Sequence, residues 1–152
     1  MVENAQRKSL EPKVFRVNDV VGKDTLVGSR CAKCDRNYFP PRQWCAACFE
    51  PGCTEIELSR EGVLQSFALV QRRQAYCLVE PPYVLGEVLL PEGTLVYTTI
   101  NLWSEVTPGG VNLSGSVDEK ILHSLRRGQK VKLDPVVIKR DEAGCDIVAF
   151  NF

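Results

Sequence analysis

The sequence predicts a mainly β protein in which a metal-bound ribbon precedes a small β-barrel. Three observations predict this fold class. Two C-x-x-C pairs lie close together, short apolar runs between glycine and proline fill the second half, and only one segment carries helical signals. With 152 residues, 44% of them hydrophobic, the chain can bury one moderate core or two small ones.

Residues 1–24 are predicted to form an N-terminal docking segment. The segment is polar, contains Pro12 and has little periodicity, although Phe15 and the valines around it favour one short amphipathic element. Alone it buries too little apolar surface to become ordered. We therefore expect an irregular or partly helical segment that docks on the body of this chain or on a partner.

Residues 25–58 are predicted to form a zinc ribbon. A strand over 26–30 leads into the first cysteine pair, and ten residues separate the two pairs. Each C-x-x-C loop places two thiolates side by side, so that two loops complete a tetrahedron around a soft divalent ion. The predicted ligands are Cys31, Cys34, Cys45 and Cys48. Because four thiolates leave no open position for water or substrate, the predicted site is structural rather than catalytic.

Zinc has alternatives in this segment. Disulfides, free thiols and rubredoxin-type iron are alternatives that fit the spacing less well. Cys53 is a spare or alternative ligand, but the geometry of a C-x-x-C pair is preferable. Asp35 stands where zinc knuckles often carry a left-handed glycine, a conformation that aspartate tolerates. Phe39 precedes two prolines, so an extended crossing to the second knuckle is expected.

Residues 59–152 are predicted to form the barrel. Apolar runs between turn signals predict strands over residues 62–70, 76–79, 83–90, 94–102, 131–139 and 145–150. Ser116 and Glu119 form a capping box that predicts the start of a helix, and Gly128 predicts its end. The helical stripe consists of Ile121, Leu122 and Leu125. One short helix inserted late among about five strands predicts a five-stranded OB-fold, and a simple sandwich is the alternative.

Composition excludes several function classes. Nineteen basic residues balance nineteen acidic ones, so the chain lacks the net positive charge that favours binding to nucleic acid or to an acidic membrane. No apolar run approaches the ~20 residues that cross a bilayer. The first ten residues are polar and the seven cysteines are an odd number, so we expect a protein of the reducing cytoplasm without a signal segment.

Catalytic side chains are scarce, and no catalytic residue is predicted. The single histidine, His123, lies on the predicted helix, where a surface or boundary position is favoured. Cys77 and Cys145 lie within apolar β-runs and are interpreted as buried structural thiols. The sequence shows no paired carboxylates, Gly-rich phosphate loop or Ser/His/Asp set.

A resemblance to a known family rests on the ribbon motif. The chain reads L-V-G-S-R-C-x-x-C-x-x-x-Y-F-P-P-R-x-x-C-x-x-C over residues 26–48, followed by G-x-L-x-S-F over 62–67. This pattern resembles small proteins that join a rubredoxin-like zinc ribbon to an OB-fold and associate with thiolases and other acyl-CoA enzymes. The similarity covers residues 25–152, and Asp35 departs from the usual glycine.

The resemblance implies a non-catalytic accessory subunit in a hetero-oligomer. The larger, thiolase-like partner would carry the nucleophile, and CoA or an acyl-CoA would bind near the shared interface. Other family members sit beside a hydroxymethylglutaryl-CoA synthase, a steroid side-chain aldolase or a hydratase. Arg72 and Arg73, in a predicted loop before Tyr76, are candidates for CoA phosphates through charge-assisted hydrogen bonds, with a solvated turn as the alternative.

Single-stranded nucleic acid is the rival partner, since zinc ribbons and OB-folds both occur in such proteins. A single-strand groove needs a positive track with exposed stacking aromatics. Residues 61–152 contain nine basic and eleven acidic residues, which disfavours such a track. Most aromatic residues there are interpreted as core, among Phe67, Tyr76, Tyr83, Tyr97 and Trp103.

Overall fold

The computed structural model describes residues 6–18, 23–75, 81–100, 123 and 125–152. Within these residues the protein is mainly β, and His123 alone is in α-helical conformation. No helix in this part of the chain is long and apolar enough to cross a membrane. The prediction of a mainly β protein is therefore confirmed.

Eleven strands are present in the described residues. They are β1 (Arg7–Ser9), β2 (Phe15–Arg16), β3 (Thr25–Cys31), β4 (Asn37–Tyr38), β5 (Cys53–Glu57), β6 (Glu61–Val70), β7 (Tyr83–Leu89), β8 (Leu95–Thr99), β9 (Lys130–Lys132), β10 (Asp134–Arg140) and β11 (Asp146–Asn151).

The N-terminal segment, expected to be irregular or partly helical, contains two short strands in its described residues. β1 pairs in parallel with β11, and β2 pairs antiparallel with β3. Phe15 on β2 is 1% exposed and its ring packs against Phe150. The segment becomes ordered because it covers the free edge of β11 and buries its aromatic residue on the body of the same chain.

The ribbon is organised around β3. This strand pairs antiparallel with β2, β4 and β5, and the last pair in its register with β5 joins Cys31 to Cys53. Gly28 on β3 is required by close approach, since a Cβ there would lie 2.7 Å from the Tyr38 carbonyl oxygen and 2.9 Å from Leu58. The predicted strand over 26–30 is confirmed with one more residue at each end.

The second half forms a half-barrel. One sheet has the order β8-β7-β6-β9, and β9 is followed after Leu133 by β10, which pairs with β11. β8 and β11 meet where the Phe152 amide donates to the Thr99 carbonyl over 3.3 Å. The predicted strands over 62–70, 83–90 and 145–150 are present. The predicted strand over 131–139 is present as two strands, β9 and β10.

Some predictions fall on residues outside the described part of the chain. The predicted strand over 76–79 and most of the predicted helix lie there, including its Ser116 and Glu119 capping box. Gly128, the predicted helix stop, is described and has a φ of +84°. The short helix and the five-strand count therefore stay predictions.

One hydrophobic core runs across the predicted boundaries at residues 24 and 58. Phe15 and Leu26 belong to the same buried cluster as Leu64, Val88 and Val148 of the half-barrel. The division into 1–24, 25–58 and 59–152 stays a prediction about domains. The core nevertheless shows that these three segments share buried apolar surface.

A buried ion pair fixes the N-terminal segment. Asp24 is fully buried, and its carboxylate accepts from Arg7 Nη2 at 2.7 Å and from the Asn18 amide at 2.8 Å. The Arg7 side chain is 18% exposed. Loss of one partner would leave a desolvated charge without compensation.

We predict that Asp24→Asn lowers the free energy of unfolding by roughly 3 kcal/mol, because it leaves Arg7 partly buried without its counter-charge. Glu55→Gln is the matched control, since the Arg16–Glu55 pair is exposed, with 51% and 61% of the two side chains accessible. That change should cost less than about 1 kcal/mol. Urea denaturation measures both variants, and equal losses would contradict the structural role of Asp24.

Candidate metal centre

Two knuckles with the same backbone geometry hold the cysteine pairs. In the first, the Cys31 amide donates to the Arg36 carbonyl and the Asp35 amide donates to the Cys31 carbonyl. In the second knuckle the Cys45 amide donates to the Glu50 carbonyl and the Phe49 amide donates to the Cys45 carbonyl. All four hydrogen bonds are 2.9–3.0 Å long. The fifth residue of each knuckle is left-handed, with φ of 58° at Asp35 and 59° at Phe49. The left-handed conformation expected for Asp35 is confirmed.

The knuckles bring four sulfur atoms together. The Sγ atoms of Cys31, Cys34, Cys45 and Cys48 all lie within 4.8 Å of one another. Cys31 and Cys48 Sγ are 3.6 Å apart, and Cys34 and Cys45 Sγ are 3.5 Å apart. A Zn–S distance of about 2.3 Å gives a tetrahedral S–S edge of about 3.8 Å, so the donor set fits a four-coordinate zinc ion.

Electrostatics at the four thiols favours a bound cation. The Tyr38 hydroxyl, 3.1 Å from Cys45 Sγ, is the main cause that lowers the pKa of Cys45 to about 5. At Cys48 the Glu50 amide favours the thiolate, but burial and the other three sulfurs outweigh it and raise the pKa to about 11. Four adjacent thiolates therefore need a compensating charge, which a divalent ion supplies.

Polar side chains around the knuckles are largely paired with one another. Arg30 Nη2 lies 3.0 Å from the Asp35 carboxylate, and Lys33 Nζ lies 2.7 Å from that of Glu50. The Arg42 guanidinium lies 4.4 Å from the centre of the Tyr38 ring. Sequence reasoning placed Tyr38 in the ribbon motif but missed its bond to Cys45, which depends on the pairing of β4 with β3.

The other candidate residues lie apart from this cluster. Arg72 and Arg73 are exposed in the connection that follows β6. His123 is exposed, and Cys145 is buried with its Sγ 3.7 Å from Gln6 Oε1. Cys77 lies outside the described residues. Cys53 is half-buried beside the site but is not one of the four converging sulfurs.

Comparison with known proteins identifies the ribbon. A family model for the ChsH2 rubredoxin-like zinc ribbon domain matches residues 22–52, which include all four cysteines. This match and the sulfur cluster together support a structural zinc ion. They also confirm the resemblance to zinc-ribbon proteins that the ribbon motif indicated.

Two curated proteins and one solved structure are similar over longer stretches. A DUF35 domain-containing scaffold protein of Methanocaldococcus jannaschii is 33% identical over 76 residues, which are 47% of this chain and about half (51%) of that protein. The benzoylsuccinyl-CoA thiolase subunit BbsA of Thauera aromatica is 27% identical over 127 residues, covering 84% of this chain and 74% of BbsA. The solved structure of the Ltp2-ChsH2(DUF35) aldolase matches with a TM-score of 0.55 and 23% identity over 83% of each chain, which shows a shared fold.

We predict that Cys34→Ser loses about one zinc equivalent and unfolds the ribbon, because three thiolates hold the ion more weakly than four. Cys53→Ser is the control, since this thiol lies outside the converging set, and it should keep the metal. Elemental analysis together with amide hydrogen exchange over residues 25–58 measures both effects. A protected ribbon in metal-free protein would contradict this role of zinc.

Proposed function

We propose that this chain is a non-catalytic accessory subunit of a thiolase-like acyl-CoA enzyme complex, with zinc held by Cys31, Cys34, Cys45 and Cys48. One observation carries the proposal: the similarity to a protein named as a thiolase subunit extends over 84% of the chain. The shorter match to a protein named as a scaffold agrees with a supporting role. The complex would be a cytoplasmic hetero-oligomer with a larger, catalytic partner.

The chemistry of the described residues supports a subunit without its own active site. The best-formed cluster of reactive side chains is a closed thiolate set with no position for substrate. Nucleophilic catalysis needs a nucleophile and a base within hydrogen-bond reach. In the described part of the chain the exposed His123 forms no hydrogen bond to a cysteine, and the Cys145 thiol is buried against Gln6.

The partner would carry out cleavage or formation of a C–C bond next to a CoA thioester. Thiolysis of benzoylsuccinyl-CoA in toluene degradation is the reaction that we propose first, because the BbsA match is the longest of the sequence matches described above. A steroid side-chain aldolase is the second candidate, in keeping with the structurally similar protein, which is named as an aldolase. Partnership with a hydratase or a hydroxymethylglutaryl-CoA synthase rests on the family resemblance alone.

We further propose that the half-barrel is an OB-fold that forms a wall over the partner's active site. The strand order β9-β6-β7-β8, with β11 beside β8 and β10 beside β11, is the order expected when such a barrel closes. A wall would exclude water while the acyl group and CoA are held for reaction. Arg72 and Arg73 are exposed after β6, where they are accessible to CoA phosphates.

Nucleic acid is the weaker alternative. Tyr97 is an exception to the interpretation of most of these aromatic residues as core, since its side chain is 66% exposed on the outer face of β8. Its hydroxyl donates to the Glu87 carboxylate at 2.6 Å, however, and this bond lowers the pKa of Glu87. A carboxylate that is held ionised beside the ring repels a phosphate backbone. Tyr83 is buried as expected, and Tyr76 and Trp103 lie outside the described residues.

We predict that the isolated chain turns over no acyl-CoA, and that activity appears when it is co-expressed with its thiolase-like partner. The reason is the lack of a nucleophile–base pair in the described residues. Co-purification from the native host followed by an acyl-CoA cleavage assay tests both halves. Robust turnover by this chain alone would overturn the accessory role.

We predict that Arg72→Ala with Arg73→Ala raises the apparent KM for the CoA substrate about tenfold, which corresponds to ~1.4 kcal/mol of lost binding. Assembly and zinc content should not change, because both side chains are exposed. Lys13→Ala with Arg36→Ala is the control, since it removes the same charge from other exposed positions. An unchanged KM in an intact complex would contradict a role in CoA binding and would favour the alternative that the two arginines lie in a solvated turn.

A further inference from the structure

A fifth cysteine faces the metal centre from the strand that follows the second knuckle. Cys53 is the first residue of β5 and lies directly opposite Cys31 in the register of β5 with β3. It is half-buried and is not one of the four sulfurs that converge on the metal position. Sequence reasoning treated Cys53 as a spare or alternative ligand, and the strand pairing shows which of the four ligands it lies beside.

The hydrogen bonds of the two strands place the Cys31 and Cys53 side chains close together. The Cys31 amide donates to the Arg36 carbonyl and the Cys53 amide donates to the Gln43 carbonyl, so both amides point away from the facing cysteine. Facing residues of an antiparallel pair that exchange no hydrogen bonds have the closer side chains, with Cβ atoms about 4.5–5.5 Å apart. The two side chains also project to the same face of the sheet, where Cys31 joins the sulfur cluster.

We propose that Cys53 is a reserve zinc ligand, which takes the coordination position of Cys31 when the Cys31 sulfur is lost. In the intact site four thiolates fill the tetrahedron, so Cys53 stays outside it. Loss of the Cys31 sulfur opens the position beside Cys53, and rotation about the Cα–Cβ bond of Cys53 turns its sulfur toward the ion. The Cys53 thiol gives its proton to water as the zinc–sulfur bond forms, and the ion again has four thiolates.

The place of Cys53 in the sheet makes the replacement specific for one ligand. Cys53 is paired with Cys31 at the end of β3, whereas Cys34 lies three residues further along, inside the first knuckle. The ribbon would therefore keep four sulfur ligands after oxidation or alkylation of Cys31, but only three after loss of Cys34. This replacement needs no enzyme partner.

Metal binding by cysteine variants of the full-length protein tests the reserve role. We expect Cys31→Ser to keep about one zinc equivalent, and Cys31→Ser with Cys53→Ser to bind zinc about tenfold or more weakly, because only the double variant is left with three thiolates. Adding Cys53→Ser to Cys34→Ser is the matched control, and it should change the already weakened zinc affinity less than about twofold. Elemental analysis and competition with a chelating dye measure both pairs of variants.

Substitution of cobalt(II) for zinc reports the ligand set directly. The thiolate-to-cobalt charge-transfer absorption grows with the number of Co–S bonds. Wild type, Cys53→Ser and Cys31→Ser should therefore show the same intensity, and Cys31→Ser with Cys53→Ser should show less. Cys31→Ala repeats the test without a hydroxyl at a position that is 1% exposed, should the serine variant not fold.

Three results would overturn the reserve role. The first is loss of zinc from Cys31→Ser and Cys31→Ala to the same extent as from Cys34→Ser. The second is equal zinc affinity of Cys31→Ser with and without Cys53→Ser, because Cys53 would then add nothing. The third is loss of cobalt absorption in Cys53→Ser alone, because Cys53 would then be a ligand of the intact site.

Discussion

Mutual repulsion of four thiolates is the constraint on which the ribbon depends. Two short knuckles bring Cys31, Cys34, Cys45 and Cys48 within 4.8 Å, where their negative charges oppose one another unless a cation lies between them. The Tyr38 hydroxyl stabilises one of these thiolates but cannot neutralise the set. A zinc ion does so, and it also joins the two knuckles, while Leu26 and Leu58 of the ribbon are buried in the core shared with the half-barrel.

The same ribbon is joined to the half-barrel by side-chain contacts. β3 carries Cys31 at one end and pairs with three other strands, so the metal site and the N-terminal segment share one strand. Asn37 donates to the Glu92 carbonyl, Ser59 donates to the Glu92 carboxylate, and Phe39 packs edge-on against Phe150. These contacts set the position of the metal site relative to the sheet of β6, β7 and β8.

The distribution of reactive and charged groups fits a protein that acts by binding through its surface. In the described residues four thiols converge on the metal site, Cys145 is buried and Cys53 is half-buried, while Arg72 and Arg73 are exposed after β6. The outer face of β7 and β8 carries Leu85, Leu95 and Tyr97, all more than a third exposed. Binding and assembly use such features, whereas covalent catalysis needs a nucleophile with its base.

The sequence by itself determined the features that depend on local spacing. Both knuckles, the left-handed Asp35 and the strands from Gly62 and Tyr83 follow from residues close together in the chain, because knuckle geometry and strand alternation are local. The ribbon motif also carried the family resemblance.

Only the tertiary structure decided the features that join distant residues. β1 pairs with β11 across almost the whole chain, and Asp24 is buried against Arg7. The exposure of Tyr97 was likewise decided by the fold, because alternation shows that a strand has two faces but not which face is covered. Long-range pairing and burial depend on the packing of the whole chain, and no short stretch of sequence encodes them.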